Sequence, residues 1–140
     1  MHEAIKEANE GKTPFGCVIA RDGHIVARAY NTVMSDHDPT EHAEMNALRA
    51  ACRKYDRSER RKMIVYTTCE PCPMCMGALL MGGFRDIVYG TDIPTAARYV
   101  KQIMVRCSHL AENTESDISI KGGVMEGECR ELFETFVNNE

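Results

Sequence analysis

The sequence has no apolar run near the ~18 consecutive residues a membrane-spanning helix needs. Its first residues, Met1-His2-Glu3-Ala4-Ile5-Lys6, lack the charged-then-apolar layout of a secretion signal. A basic excess is also missing. Seventeen Lys and Arg stand against 21 Asp and Glu, a net charge of −4, opposite in sign to the usual nucleic-acid binder. Internal repeats, low-complexity tracts and linker-like stretches are absent. The seven cysteines are Cys17, Cys52, Cys69, Cys72, Cys75, Cys107 and Cys129. An odd count without a secretion signal argues against a disulfide framework. These absences lead us to expect one soluble, cytoplasmic domain over residues 1–140, with no membrane partner. A chain of this length buries roughly two-thirds of its unfolded surface without covalent staples.

What is present is concentrated. Cys69, Cys72 and Cys75 form a Cys-x-x-Cys-x-x-Cys run, which in a reducing compartment points to metal or redox chemistry. The other four cysteines are scattered and are expected to be buried thiols acting as small apolar residues. Residues 53–62 hold six basic and two acidic side chains, a local excess of four. They read as a solvated helix end and loop, with cations favoured at a helix C-terminus. A phosphate-contacting patch is the alternative.

The apolar pattern predicts a helix over 2–10, ended by Gly11, and two β-rich runs, Phe15 to Ala20 and Ile25 to Tyr30. Asp22-Gly23 between those runs is a hairpin signal, since such turns need positive φ. Residues 31–40 read as a loop. Glu41 to Tyr55 reads as a helix with Thr40 as N-cap and a stripe of Ala43, Ala47, Leu48, Ala51 and Cys52. Met63 to Thr67 is a short strand. Pro73 to Met81 is a helix stopped by Gly82-Gly83. A strand over Asp86 to Tyr89 and a helix over Pro94 to Val105 follow. The polar stretch 108–116 reads as a loop, Ile118 to Lys121 as a strand and Glu126 to Val137 as a helix. This order implies an α/β fold, a three-layer α-β-α sandwich around a mixed, mostly five-stranded sheet.

The chemistry sits at two helix starts. His42 opens one predicted helix, and Cys72 and Cys75 open another. Facing helix N-termini concentrate positive dipole and favour thiolate. One His and two thiolates form a compact, soft set suited to zinc. Three protein ligands leave a fourth position open to water, whose pKa zinc lowers to about 7. Glu44, two residues from His42, leans into the same cleft and is placed to move a proton. The rival is a closed, inert site in which Cys69 supplies a fourth ligand. Against it, Glu70-Pro71 breaks the helical register and puts Cys69 at the end of a strand.

His-x-Glu followed by Pro-Cys-x-x-Cys resembles the signature of zinc-dependent nucleobase and nucleoside deaminases. Thr13 to Gly16, Asp38 to Glu44 and Thr68 to Cys75 look like blocks of the cytidine deaminase superfamily. They are most similar to its guanine, cytosine and tRNA-adenosine deaminase branch. The resemblance implies a cytidine deaminase-like fold, one zinc per subunit on His42, Cys72 and Cys75, and Glu44 as the catalytic proton carrier. It implies that Asn31 hydrogen-bonds the base, that Phe15 lies near it, and that the protein is a homodimer. The implied activity is hydrolytic release of ammonia from an exocyclic amine. A small nucleobase or nucleoside, of guanine or cytosine type, is the expected partner, and a tRNA adenosine the lesser candidate. A catalytically silent zinc module is the rival from outside enzymology. Three departures stand out. Glu41 precedes His42 where Ala is common in the family. Residues 91–104 lack the acidic residue with which guanine deaminases read their base. The block from Gly123 to Phe136 is similar to the tRNA adenosine deaminase arrangement.

Overall fold

Asp22 and Gly23 both hold positive φ, 51° and 76°, the pair of left-handed residues that a two-residue hairpin loop requires. They join β1 (Gly16–Arg21) to β2 (His24–Tyr30), which run antiparallel with an irregularity between Ile19 and Ala20. The computed structural model describes residues 1–114 and 117–139. Helix α1 (His2–Glu10) precedes the hairpin. After it come α2 (Val33–Asp36), α3 (Ala43–Cys52), α4 (Arg57–Arg60), β3 (Ile64–Cys69), α5 (Pro73–Gly82), β4 (Asp86–Thr91), α6 (Ile93–Ala96), α7 (Cys107–Glu112), β5 (Ser119–Lys121) and α8 (Glu126–Asn138).

The strands form one sheet in the order β2-β1-β3-β4-β5. β1 is antiparallel to β3, and β3, β4 and β5 run parallel, so the sheet is mixed as expected. Alternation along β1 separates the two faces. Cys17 and Ile19 enter the main core with Ala43, Ala47 and Ala51 of α3 and Met76 and Leu79 of α5. Gly16 points the other way. A Cβ there would lie 2.1 Å from Ala4 O, so only glycine lets α1 sit this close to the sheet. Likewise a Cβ at Gly90 of β4 would meet Cys129 Sγ of α8 at 2.3 Å. Helices α1 and α8 therefore cover one face, and α3, α5 and α7 the other. This is the three-layer α/β sandwich. Among the described residues no helix is long and apolar enough to cross a membrane.

Several local expectations change. Helix α3 is capped by His42 rather than Thr40, because Asp38 engages both the Thr40 N–H and hydroxyl in a turn. It ends at Cys52, which is exposed, so one of the four scattered thiols is not a core residue. Residues 33–36 of the expected loop make a helical turn. The helix expected over 94–105 stops at Ala96, and residues 101–106 run without regular structure. Conversely, α7 forms within the expected loop 108–116, with Cys107 buried in the core. Residues 115 and 116 of that loop lie outside the described residues. In the basic stretch, Arg57 donates to Met81 O and Arg60 to Gly82 O. Both guanidinium groups thus satisfy carbonyls at the C-terminus of α5, a role the helix dipole favours.

Candidate active site

His42 is the N-cap of α3, with φ −69° and ψ 155°. Cys72 is the N-cap of α5, with φ −65° and ψ 167°. Pro73 takes the first helical position, where its missing N–H costs nothing. Cys75 follows one turn on. The two helices pack side by side and bring both N-termini to one point. His42 Nδ1 lies 3.7 Å from Cys72 Sγ and 3.5 Å from Cys75 Sγ. Tetrahedral zinc, with bonds of about 2.05 Å to nitrogen and 2.3 Å to sulfur, separates its N and S ligands by about 3.6 Å. The donor set fits the ion in type and in spacing. Cys69 lies outside this cluster of ligand atoms. It ends β3 opposite Thr91, and the closed four-ligand arrangement does not form.

The protonation pattern agrees with a metal site. A hydrogen bond from Cys75, reinforced by His42, lowers Cys72 to about 4 against the cost of burial. The shared hydrogen bond with Cys72, together with burial, pushes Cys75 up. The Cys72 contact also raises His42. Burial pushes the neighbouring Cys69 thiol up, as in an inert buried cysteine.

Glu44 sits on the first turn of α3 and is only 5 % exposed. Burial raises its carboxyl above the ordinary value, while its own backbone N–H, His42 and Thr67 pull it back. Thr67 Oγ1 donates to Glu44 Oε1 at 3.0 Å. A carboxyl raised above its ordinary value by burial and held by one oxygen is suited to accept and return a proton.

His42, Glu44 and Cys72 open onto one cavity of about 210 Å³, whose walls also include Phe15, Asn31, Glu70 and residues 100–103. The structure thus gathers all the expected site residues, with Cys75 buried behind its two fellow ligands. Phe15 is braced edge-on by Phe133 of α8, centroids 5.4 Å apart. Asn31 Oδ1 accepts from the Val33 N–H at 3.1 Å, which fixes the amide orientation and leaves Nδ2 as the group available to a ligand. Asp38 and Arg49 support the turn that delivers His42. Arg49 bonds Thr40 Oγ1 at 3.0 Å and Glu41 Oε1 at 2.6 Å. Glu41, where the family commonly has Ala, thus finds its partner here.

Sequence reasoning missed Thr67, Glu70 and the wall at 100–103. Thr67 shows in the sequence only as a strand residue, and its Glu44 contact spans 23 positions. Glu70 carries a signal in hindsight, an acidic residue beside a Pro-Cys pair at a strand end. The sequence pattern of the wall reads as helix.

Residues 1–91 match the family model of the cytidine and deoxycytidylate deaminase zinc-binding region. The chain is 43% identical over 84 residues to a guanine deaminase of Bacillus subtilis (strain 168), a match spanning 60% of this chain and 54% of that protein. It is 32% identical over 146 residues to a tRNA-specific adenosine deaminase of the same strain, spanning 97% of this chain and 85% of that protein. A solved structure from work on A-to-I editing by tRNA:A34 deaminases superposes with a TM-score of 0.71 at 27% identity, covering 93% of each chain.

Proposed function

The chain belongs to the cytidine and deoxycytidylate deaminase family, and from that premise we propose that it is a zinc-dependent hydrolase releasing ammonia from the exocyclic amine of a free nucleobase or nucleoside. The observation that carries this reading is the shared cavity, onto which the three-ligand cluster and the buried Glu44 both open. His42 Nδ1, Cys72 Sγ and Cys75 Sγ would hold zinc. When bound, zinc supplies the Lewis acidity that makes water ionise near neutral pH. Glu44 takes a proton from the attacking water and passes it to the ring nitrogen beside the carbon under attack. It then takes the proton of the hydroxyl added to that carbon and delivers it to the amine, and the C–N bond breaks as ammonia leaves. Water and the amino heterocycle become the oxo heterocycle and ammonia. Asn31 Nδ2 donates to an acceptor on the base, and Phe15 packs against it. Exclusion of bulk water strengthens each of these contacts.

Three features favour a small substrate. The net charge is −4. Arg57 and Arg60 of the basic stretch are committed to the end of α5. The cavity lies below the volume of most drug-sized ligand sites, about 300 Å³ and upward. A second reading, adenosine deamination in tRNA, is favoured by one observation: the tRNA-specific relative matches over 97% of the chain. An ammonia-release screen tests both, with guanine, cytosine, adenine, their nucleosides and a tRNA anticodon stem as substrates. Release from a free base or nucleoside supports the first reading. Activity on the anticodon stem alone, with steep salt dependence from phosphate contacts, supports the second.

A further inference from the structure

Glu70 lines the active-site cavity, yet its oxygens are turned to a different task. The side chain is 1% exposed. Oε2 accepts from the Ile93 N–H at 2.9 Å, and Oε1 from the Cys107 N–H at 2.9 Å. Arg106 Nε reaches both oxygens, at 2.9 and 2.8 Å. One buried carboxylate therefore holds the first residue of α6 and the first residue of α7, the two ends of the segment between them. Arg106 reaches further, to the Tyr89 hydroxyl at 3.1 Å. The segment holds itself weakly. Among the described residues, the backbone N–H groups of 101–106 donate one main-chain hydrogen bond, from Val105 to Ile103 O. Ile103 and Met104 are each 62% exposed. Tyr99 and Val100 pack against Phe133, but beyond them no buried side chain fixes the path until Cys107.

We infer that Glu70 and Arg106 are positioning residues which close residues 97–106 into a strap and thereby set the wall that Val100, Lys101, Gln102 and Ile103 give to the substrate. The proposal rests on the deaminase reading of the cavity. Neither residue touches the ligand cluster, so the pair governs how substrate is held rather than how the proton moves. Misplacing a binding wall by an ångström weakens substrate positioning without removing the catalytic group.

Arg106→Ala tests this, because the arginine side chain is 43% exposed and its removal opens no core cavity. Amide hydrogen exchange, zinc content and kinetics are measured on the zinc-loaded chain. Exchange of the hydrogen-bonded amides of the segment and its ends, Ile93, Val100, Val105 and Cys107, should accelerate about tenfold or more while β3 and β4 stay protected. Zinc content should be unchanged, and KM should rise about tenfold with kcat within threefold of wild type. Arg106→Lys keeps the charge but not the contact to both carboxylate oxygens, and should fall between. Unchanged exchange and KM in Arg106→Ala overturn the inference. So does acceleration spread through the whole chain with loss of zinc, in both variants. If wild type releases ammonia from no heterocycle, the deaminase reading fails, and the exchange pattern alone then decides whether the strap depends on the pair.

Discussion

Thr67 donates its hydroxyl proton to Glu44 Oε1 at 3.0 Å, tying the middle layer of the sandwich to the carboxyl on α3. Thr67 is 1% exposed, so no water competes for the bond. The contact engages Oε1 of Glu44 and leaves Oε2 for the proton-carrying role proposed above. It also stabilises the ionised form against the burial that disfavours it. Thr67→Val keeps the shape and removes the donor. Glu44 then titrates at higher pH, and the acid limb of the pH–rate profile moves upward. At fixed neutral pH, kcat/KM should fall about tenfold, as for losing a hydrogen bond to a charged group, with zinc content unchanged. Thr67→Ser should restore most of the loss.

Asn31 separates turn-making from substrate reading. Its Oδ1 is used by the Val33 N–H, so Asn31→Asp keeps the acceptor of the turn while it replaces the Nδ2 donor with a charged acceptor oxygen. KM should rise about tenfold or more, because a site built to hydrogen-bond its substrate discriminates strongly when one partner is removed. Thermal stability should stay close to wild type. A variant with unchanged KM would place the base elsewhere in the cavity.

Zinc removal should be visible at one thiol. Cys72 is half-buried and ionised at neutral pH, lowered to about 4, whereas Cys75 is buried and Cys52 exposed. After chelation, iodoacetamide should label Cys72 and Cys52. After zinc is restored it should label Cys52 alone, which makes Cys52 an internal control. Chelation should also lower the melting temperature and abolish turnover, both recovered with zinc. Protection of both residues by zinc, or of neither, would contradict the ligand assignment.

The hydrogen bonds from the Thr40 N–H and hydroxyl hold Asp38 below the ordinary carboxylate range. A lowered folded-state pKa adds stability above the unfolded value and loses it as pH falls through the folded one. Asp38→Ala should therefore melt below wild type at pH 7. The gap should begin to narrow as pH falls past about 4, the unfolded-state value, and close as pH falls on through the lower folded-state pKa. Melting curves across pH 2.5–7, about the range of the carboxylate titration, measure this directly.

Legibility in the sequence followed the range of the forces involved. The hairpin at Asp22-Gly23 was readable because positive φ is a local demand that few residues meet. His42, Glu44, Cys72 and Cys75 were readable because fixed spacings at two helix starts leave few alternatives for a metal. The helix expected over 94–105 failed for a non-local reason. Val100, Ile103 and Val105 are modest helix formers. Glu70, some 23 residues before Ile93 and 37 before Cys107, claims the N–H groups at both ends of the segment. The same long-range carboxylate starts α7 in a stretch whose polarity reads as loop. Thr40 lost its capping role to a turn made by Asp38, two residues away. Composition identified the basic stretch but not its use, since the carbonyls that Arg57 and Arg60 satisfy lie more than 20 residues further on.

In the mechanism we propose, Glu44 moves the protons of a hydrolytic deamination beside a zinc it does not bind. The most direct test compares zinc-loaded wild type with Glu44→Gln at equal metal content, assaying ammonia from the panel of free bases and nucleosides. For this role, wild type should release ammonia from at least one of them and the variant should lose about a thousandfold, within the range for removal of a general acid–base, with one zinc per chain in both. Comparable ammonia release by Glu44→Gln, or a variant that has lost its zinc, would contradict it.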